Sequence, residues 1–223
     1  MDETRRRERA GEVLSGYVSG PSAATEATAR ALTRVADSRA VVLVEGISDQ
    51  IALETLAMRR GRDLEGDGVV IFPVGGAHAI TNYLHRFGPK GAGLALAGLC
   101  DSDEAELFRR GLARAGIGAP KTTPEMARLG FHVCVEDLED ELVRSGGPGR
   151  VEALFESQGD LGSFRTLQSQ PAWRNHDIQT QMRRFLGSGA RRKLRYARLL
   201  VGVIPGDRMP LPLEAVLAPV SYT

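Results

Sequence analysis

Four short runs, at residues 40–44, 69–74, 94–100 and 131–135, are apolar on nearly every residue and are separated by stretches of helical character. Continuous rather than alternating apolarity suits strands buried on both faces, and such strands belong to parallel sheets with helices on either side. The intervals of about 20 to 30 residues accommodate the helical crossovers that parallel pairing requires. The expected fold class is α/β, a parallel sheet with helices on both faces.

Around this sheet the chain divides into three expected parts. Residues 1–39 read as an N-terminal helical arm, with an Arg-rich start at residues 4–9 and an Ala/Thr/Arg segment after Gly20-Pro21. Residues 40–146 form the sheet domain. Beyond the loop-like Ser145-Gly-Gly-Pro-Gly149 no apolar strand follows, so residues 147–223 read as a helical extension with a short helix near 213–217.

Lys plus Arg number 29 and Asp plus Glu 28, so affinity for a polyanion has to come from local segregation of charge. Residues 181–200 supply it, with seven Arg or Lys and no Asp or Glu. Arg183, Arg184, Arg191, Arg192 and Arg195 are the candidate phosphate contacts of one basic helix face; a solvated surface is the plainer reading. No apolar run approaches the ~18 residues of a membrane helix and the first ten residues are charged, so a cytoplasmic protein is expected. Cys100 and Cys134 lie in apolar runs without zinc-type spacing and read as reduced core thiols.

Three of the four runs end in acids: Val44 leads into Glu45, Cys100 into Asp101, and Val135 into Glu136 and Asp137. In an open parallel sheet every C-terminal strand end lies along one edge, where such folds place their ligands, so carboxylates far apart in sequence converge. Asp101 and Asp103 make an acid-x-acid pair, Asp137 and Glu139 repeat the spacing, and Glu45 and Asp49 are four apart, on one face of a helix beginning after Gly46. At ~4 Å two carboxylates repel by ~4 kcal/mol at an effective dielectric of 20, so a cation is expected among them. Oxygen-only ligands favour Mg²⁺ or Mn²⁺ over zinc, and such an ion activates water and stabilises charge on a phosphodiester oxygen. The competing structural role is helix capping, open to Ser48, Asp101 and Asp137; Glu104 and Glu106 read as solvated first-turn acids.

VVLVEGISDQIAL at residues 41–53 together with GLCDSDE at 98–104 resembles the Toprim domain of topoisomerases, primases and some nucleases. VGGAHAITNYL at 74–84 and DLEDEL at 137–142 are similar to segments of one branch, the overcoming-lysogenization-defect (OLD) nucleases. The resemblance covers residues 40 to about 144 well and the basic region loosely. It implies a Mg²⁺- or Mn²⁺-dependent nuclease acting on nucleic acid, DNA being expected. Glu45 would be metal ligand or acid/base group, Asp49, Asp101 and Asp103 metal ligands, and Glu139 with Asp137 the completion of a second metal site; Glu136 is the alternative should the register slip. Lys193 resembles the lysine that those nucleases place near the scissile phosphate, with Arg191, Arg192 and Arg195 as rivals.

One departure stands out: OLD nucleases usually carry an ABC-type ATPase domain ahead of Toprim, whereas 39 residues precede the first run here and no GxxxxGK[ST] occurs. The expectation is a stand-alone nuclease, a component working with a separate ATPase, or a family member kept for another role; a homodimer is also open. Two rival functions are a non-cutting nucleic-acid or partner-binding module and a DxD phosphatase, the latter disfavoured by Ala105 after the motif. Gly75-Gly76 reads as a turn, His78 and His85 as two residues on one helix face without further ligands, and His132 as a core residue. His176 reads as part of a helix start and Trp173 as an anchor of the helical extension against the sheet.

Overall fold

The computed structural model describes residues 23–218. The Arg-rich segment at 4–9, and with it most of the expected arm, lies outside the described residues. Helix α1 (Ala23–Val35) is followed by β1 (Ala40–Val44), α2 (Ile47–Arg59), β2 (Val69–Pro73), α3 (Ile80–Phe87) and β3 (Ala95–Cys100). Then come α4 (Ala105–Ala115), α5 (Thr123–Arg128), β4 (Phe131–Val133) and α6 (Leu138–Gly146). The remainder is helical: α7 (Pro148–Ser157), α8 (Leu161–Ser169), α9 (Ile178–Gly187), α10 (Ala190–Val203) and α11 (Leu211–Leu217).

The four strands form one parallel sheet in the order β2-β1-β3-β4. β1 is buried along its whole length because it has a strand on either side and a layer on either face. Val42 and Val44, with Ile71, Ala97 and Leu99, face a core built by α2, α6 and helices of the extension. Val41 and Leu43, with Val70 and Phe72, face the opposite core, where α1, α3 and α4 contribute Ala31, Leu84 and Phe108. The extension therefore shares one apolar core with the sheet: Phe155, Phe164, Phe185 and Tyr196 pack ring on ring beneath it, at centroid separations of 4.9 to 5.4 Å. Trp173 is half-buried against the same core, and Cys100 and Cys134 are buried free thiols.

The basic segment is two helices rather than one. α9 ends at Gly187, Ser188 caps it and Gly189 opens α10 in an extended conformation, so Arg183 and Lys193 stand on different helices. His132 differs from its expected core role: it is half-buried and lines a cavity of about 340 Å³ between β4, α5 and α11, and burial lowers its pKa. Among the described residues no helix is long and apolar enough to cross a membrane.

Candidate metal and nucleic-acid site

The acids of the three strand ends meet at one edge of the sheet. Glu45 follows β1, and its carbonyl accepts the N–H groups of Gly75 and Gly76, both at 3.2 Å. Those two glycines have φ of 78° and 114°, so the turn after β2 needs residues without a Cβ to reach Glu45. Gly46 opens α2, and Asp49 reaches back so that its Oδ2 accepts the Gly46 N–H at 2.9 Å, half of a capping box. Asp101 and Asp103 flank Ser102 in a 3₁₀ turn after β3, with Asp103 exposed. Beyond β4, Asp137 caps α6, its Oδ1 accepting the Asp140 N–H at 2.8 Å, while Ser48 and Asp101 cap nothing through their side chains.

Glu139 and Glu141 lie on the buried face of α6 beside Leu138, Leu142 and Val143. Glu139 holds the Lys193 ammonium at 3.2 Å, and Glu141 holds Arg144 at 2.6 Å and accepts the Val135 N–H at 2.9 Å. Asp137 and Glu136 receive the Arg183 guanidinium at 2.7 and 3.3 Å. Two glutamates among the apolar positions of one helix were the signal that could have drawn attention to Glu141.

Charge crowding is visible in the proton affinities. Burial and the neighbouring Asp49, Glu45 and Asp137 carboxylates push Asp101 up to about 8. Burial pushes Asp49 up to about 6, against the pull of Lys193 and the Gly46 N–H. Glu45 is raised by burial and by Glu104, and Glu139 by burial, with Lys193 opposing both shifts. Burial disfavours the charge on Lys193, but Glu139, Asp49 and Asp101 together outweigh it and raise its pKa. Lys193 is thus an internal countercharge for the acidic edge.

The donor set suits a hard divalent cation in kind and in charge: carboxylate oxygens, half-buried, mutually repelling. As the side chains stand it is open rather than gathered. Among the described residues no three or more His, Cys, Asp or Glu form a group that could hold a metal ion; Asp49 is engaged by Gly46 and Glu139 by Lys193.

The expected phosphate contacts divide. Arg184 and Arg191 are exposed, and Arg184 lies 5.5 Å from the Trp173 ring centroid. Arg192 stacks 3.9 Å above the Phe185 ring and donates to the Phe185 carbonyl. Arg195 is paired with Asp160, which also accepts the buried Tyr196 hydroxyl at 2.7 Å. Arg183 faces the acidic edge. His78 and His85 are exposed, and His176 precedes Asp177, whose Oδ1 caps α9 through the N–H groups of Gln179 and Thr180.

Residues 38–103 match the family model described as overcoming lysogenization defect protein-like, TOPRIM domain. Among solved structures, the C-terminal region of the Xanthomonas campestris pv. campestris OLD protein superposes with a TM-score of 0.60 at 22% identity, over 82% of this chain and 92% of that one. The C-terminal region of the Burkholderia pseudomallei OLD protein gives 0.59 at 19% identity, over 81% of this chain and 95% of that one. No curated protein sequence matches. The overlay extends past the matched residues into the helical extension, so the two share a fold well beyond the motif-bearing half. The paired strand-end motifs, the parallel sheet that brings them together and the comparisons agree: residues 38–103 match the OLD-like TOPRIM domain, within a fold shared with the C-terminal regions of OLD proteins.

Proposed function

We propose that the protein is a metal-dependent nuclease that hydrolyses phosphodiester bonds of nucleic acid, DNA in the first instance. The observation that carries this is the edge where Glu45, Asp49 and Asp101, from two different strand ends, are held partly dehydrated and against one another, all with raised pKa. A fold gains nothing in stability from such an arrangement, whereas a bound cation offsets its cost.

Glu45, Asp49, Asp101 and Asp103 would hold Mg²⁺ or Mn²⁺, with Asp137 and Glu139 completing a second position once Lys193 leaves Glu139. The metal supplies Lewis-acid stabilisation of phosphate charge and a more acidic water. In the hydrolysis, water oxygen bonds to phosphorus while the P–O bond to the leaving oxygen breaks. Where Glu45 serves as the acid/base group rather than as a ligand, its proton affinity raised by burial, it takes the proton from water and returns one to the leaving oxygen. Lys193 projects its ammonium from the first turns of α10 and meets the charge that builds on the non-bridging oxygens. The exposed Arg184 and Arg191 bring the backbone of the substrate toward an edge that would otherwise repel it.

The test is nicking of supercoiled and linear DNA by purified protein with Mg²⁺, Mn²⁺, Ca²⁺ or EDTA. Open circles with Mg²⁺ or Mn²⁺ and none with EDTA are expected. One observation favours a second reading, a non-cutting binding module: Glu139 already has a cation in Lys193 and no gathered ligand group forms among the described residues. Retained DNA binding without nicking under every metal selects it.

A further inference from the structure

The two acidic segments of the site come from β3 and β4, and β4 is an edge strand of three residues with a single sheet neighbour. Regular pairing ends at Cys100 opposite Val133, and the ladder makes one more bond, from the Cys134 N–H to the Cys100 carbonyl at 2.9 Å. Past that point the chain carrying Glu136, Asp137 and Glu139 has no strand beside it. The Ser102 main chain and two side chains take over. The Ser102 N–H donates to the Glu136 carbonyl at 3.0 Å, and the Ser102 hydroxyl donates to the same oxygen at 3.3 Å. From the other side, the buried carboxylate of Glu141 accepts the Val135 N–H at 2.9 Å; it is 2% exposed and braced by Arg144.

We infer that Ser102 is a positioning residue that latches the Asp101-Ser102-Asp103 turn to the Glu136–Glu139 segment and so fixes the distance between the two halves of the metal site, while Glu141 braces that second segment from within at the Val135 N–H. The residue between the two aspartates is then not a spacer: its amide and hydroxyl join two strand ends that the sheet itself leaves apart. Val135 fits this account. Its side chain is 64% exposed, so it is not packing that holds this backbone, and its N–H is held by Glu141 instead. The inference rests on the metal-site reading above.

Ser102→Pro is the sharp test. Asp101 already has φ −73° and ψ 159°, the conformation that precedes proline, and Ser102 is the first residue of its turn, where proline is tolerated. The substitution removes the amide donor and pushes the Glu136 carbonyl away. Ser102→Ala removes only the longer hydroxyl bond, and Ser102→Thr keeps it. Binding of Mn²⁺ alone is measured by calorimetry and by the free-Mn²⁺ electron spin resonance signal, beside far-ultraviolet dichroism and the nicking rate. Expected is a half-saturating Mn²⁺ concentration raised about tenfold in Ser102→Pro and about twofold to threefold in Ser102→Ala, within what one lost hydrogen bond covers. Ser102→Thr is expected at the wild-type value, and the nicking rate at saturating Mn²⁺ should fall less than the affinity. A folded Ser102→Pro with wild-type Mn²⁺ affinity overturns the latch. Where that variant does not fold, Ser102→Ala decides, and an unmoved midpoint overturns it. A wild-type protein that binds no Mn²⁺ removes the metal reading itself, an outcome distinct from binding that the variants leave unchanged.

Discussion

Lys193 on α10 meets Glu139 on α6 at 3.2 Å, on the acidic side of the sheet where the Arg183 guanidinium is likewise given to Asp137 and Glu136. α10 lies along α2: near its start Lys193 faces Asp49, and near its end the Val201 and Ile204 carbonyls accept from Arg59 at the end of α2. The two helices run parallel, and their packing carries the ammonium to the acids.

Replacing Lys193 by Met leaves Glu139 buried and unpaired. Because the lysine side chain is 37% exposed, solvent screens the pair, and the cost to the metal-free protein is expected at about 1 kcal/mol rather than the 3 to 5 typical of a fully buried pair. Mn²⁺ should raise the melting temperature of the variant more than that of the wild type, since the ion then has no ammonium to displace. Nicking should slow at least tenfold with duplex binding nearly kept. Thermal melts with and without Mn²⁺, beside single-turnover rates, check all three; an equal Mn²⁺-induced shift in both proteins excludes the competition.

The raised carboxylates set a pH dependence. A carboxyl whose pKa is higher folded than unfolded binds its proton more tightly in the folded state. Its stabilisation is fully present below the unfolded value near 4 and is lost as pH rises through the folded value. For Asp49 that loss begins near the unfolded value and is complete by about 6, and for Asp101 it continues to about 8. Metal-free protein should therefore become less stable from pH 5 to pH 9. Since a cation requires the deprotonated forms, saturating Mn²⁺ should flatten or reverse the trend, and the Mn²⁺ midpoint should fall as pH rises through 8. Melting curves across this range with EDTA and with Mn²⁺ give the two slopes; identical slopes would separate these carboxyls from metal binding.

What the sequence made legible follows from where each property is encoded. Continuous apolar runs identified β1 to β4 within one or two residues, because burial on both faces leaves its mark on every residue of a strand. The parallel arrangement then placed Glu45, Asp101 and Asp137 on one edge without any knowledge of strand order. The order β2-β1-β3-β4 was not legible, since nothing in the runs distinguishes an edge strand from a central one except the shortness of β4. The charge of residues 181–200 misled for a related reason. Its partners, Asp137, Glu139 and Asp160, lie 35 or more residues away, so part of a patch read as solvent-facing is neutralised inside the protein. Ser102 bonds Glu136 through its backbone N–H, which any residue but proline carries, so nothing in the sequence singles it out, whereas Glu141 was legible only as an acid among the apolar positions of α6.

Asp101→Asn and Asp103→Asn should both abolish nicking and should differ in stability. Asp101 is half-buried and crowded by Asp49, Glu45 and Asp137, so removing its charge relieves repulsion and should raise the metal-free melting temperature above pH 8. Asp103 is exposed, and its change should stay within about 0.5 kcal/mol. Paired melts at pH 9 distinguish the two. Wild-type nicking by either variant would mean that the proposed ligands are wrong.

The arginines of residues 181–200 differ in burial, and so in what their removal should change. Arg192 covers the Phe185 ring and donates to the Phe185 carbonyl, and Arg195 shares Asp160 with the buried Tyr196 hydroxyl. Arg192→Ala should cost about 1 to 2 kcal/mol through the lost cation–π contact and hydrogen bond. Arg195→Ala should cost about 1 kcal/mol after allowance for its 41% exposure. Neither variant tests substrate binding cleanly, because both alter the core under α10. Arg184 and Arg191 are exposed on α9 and α10, Arg184 beside the Trp173 ring, and changing both to Ala should cost about 1 kcal/mol or less. Each duplex phosphate neutralised contributes about 0.9 to the slope of log affinity against log salt, so the double variant should flatten that slope by between one and two and weaken binding across sequences alike. Salt titrations of a labelled duplex measure it. An unchanged slope would assign these two arginines to surface solvation and require DNA to reach Glu45 and Asp101 by another face.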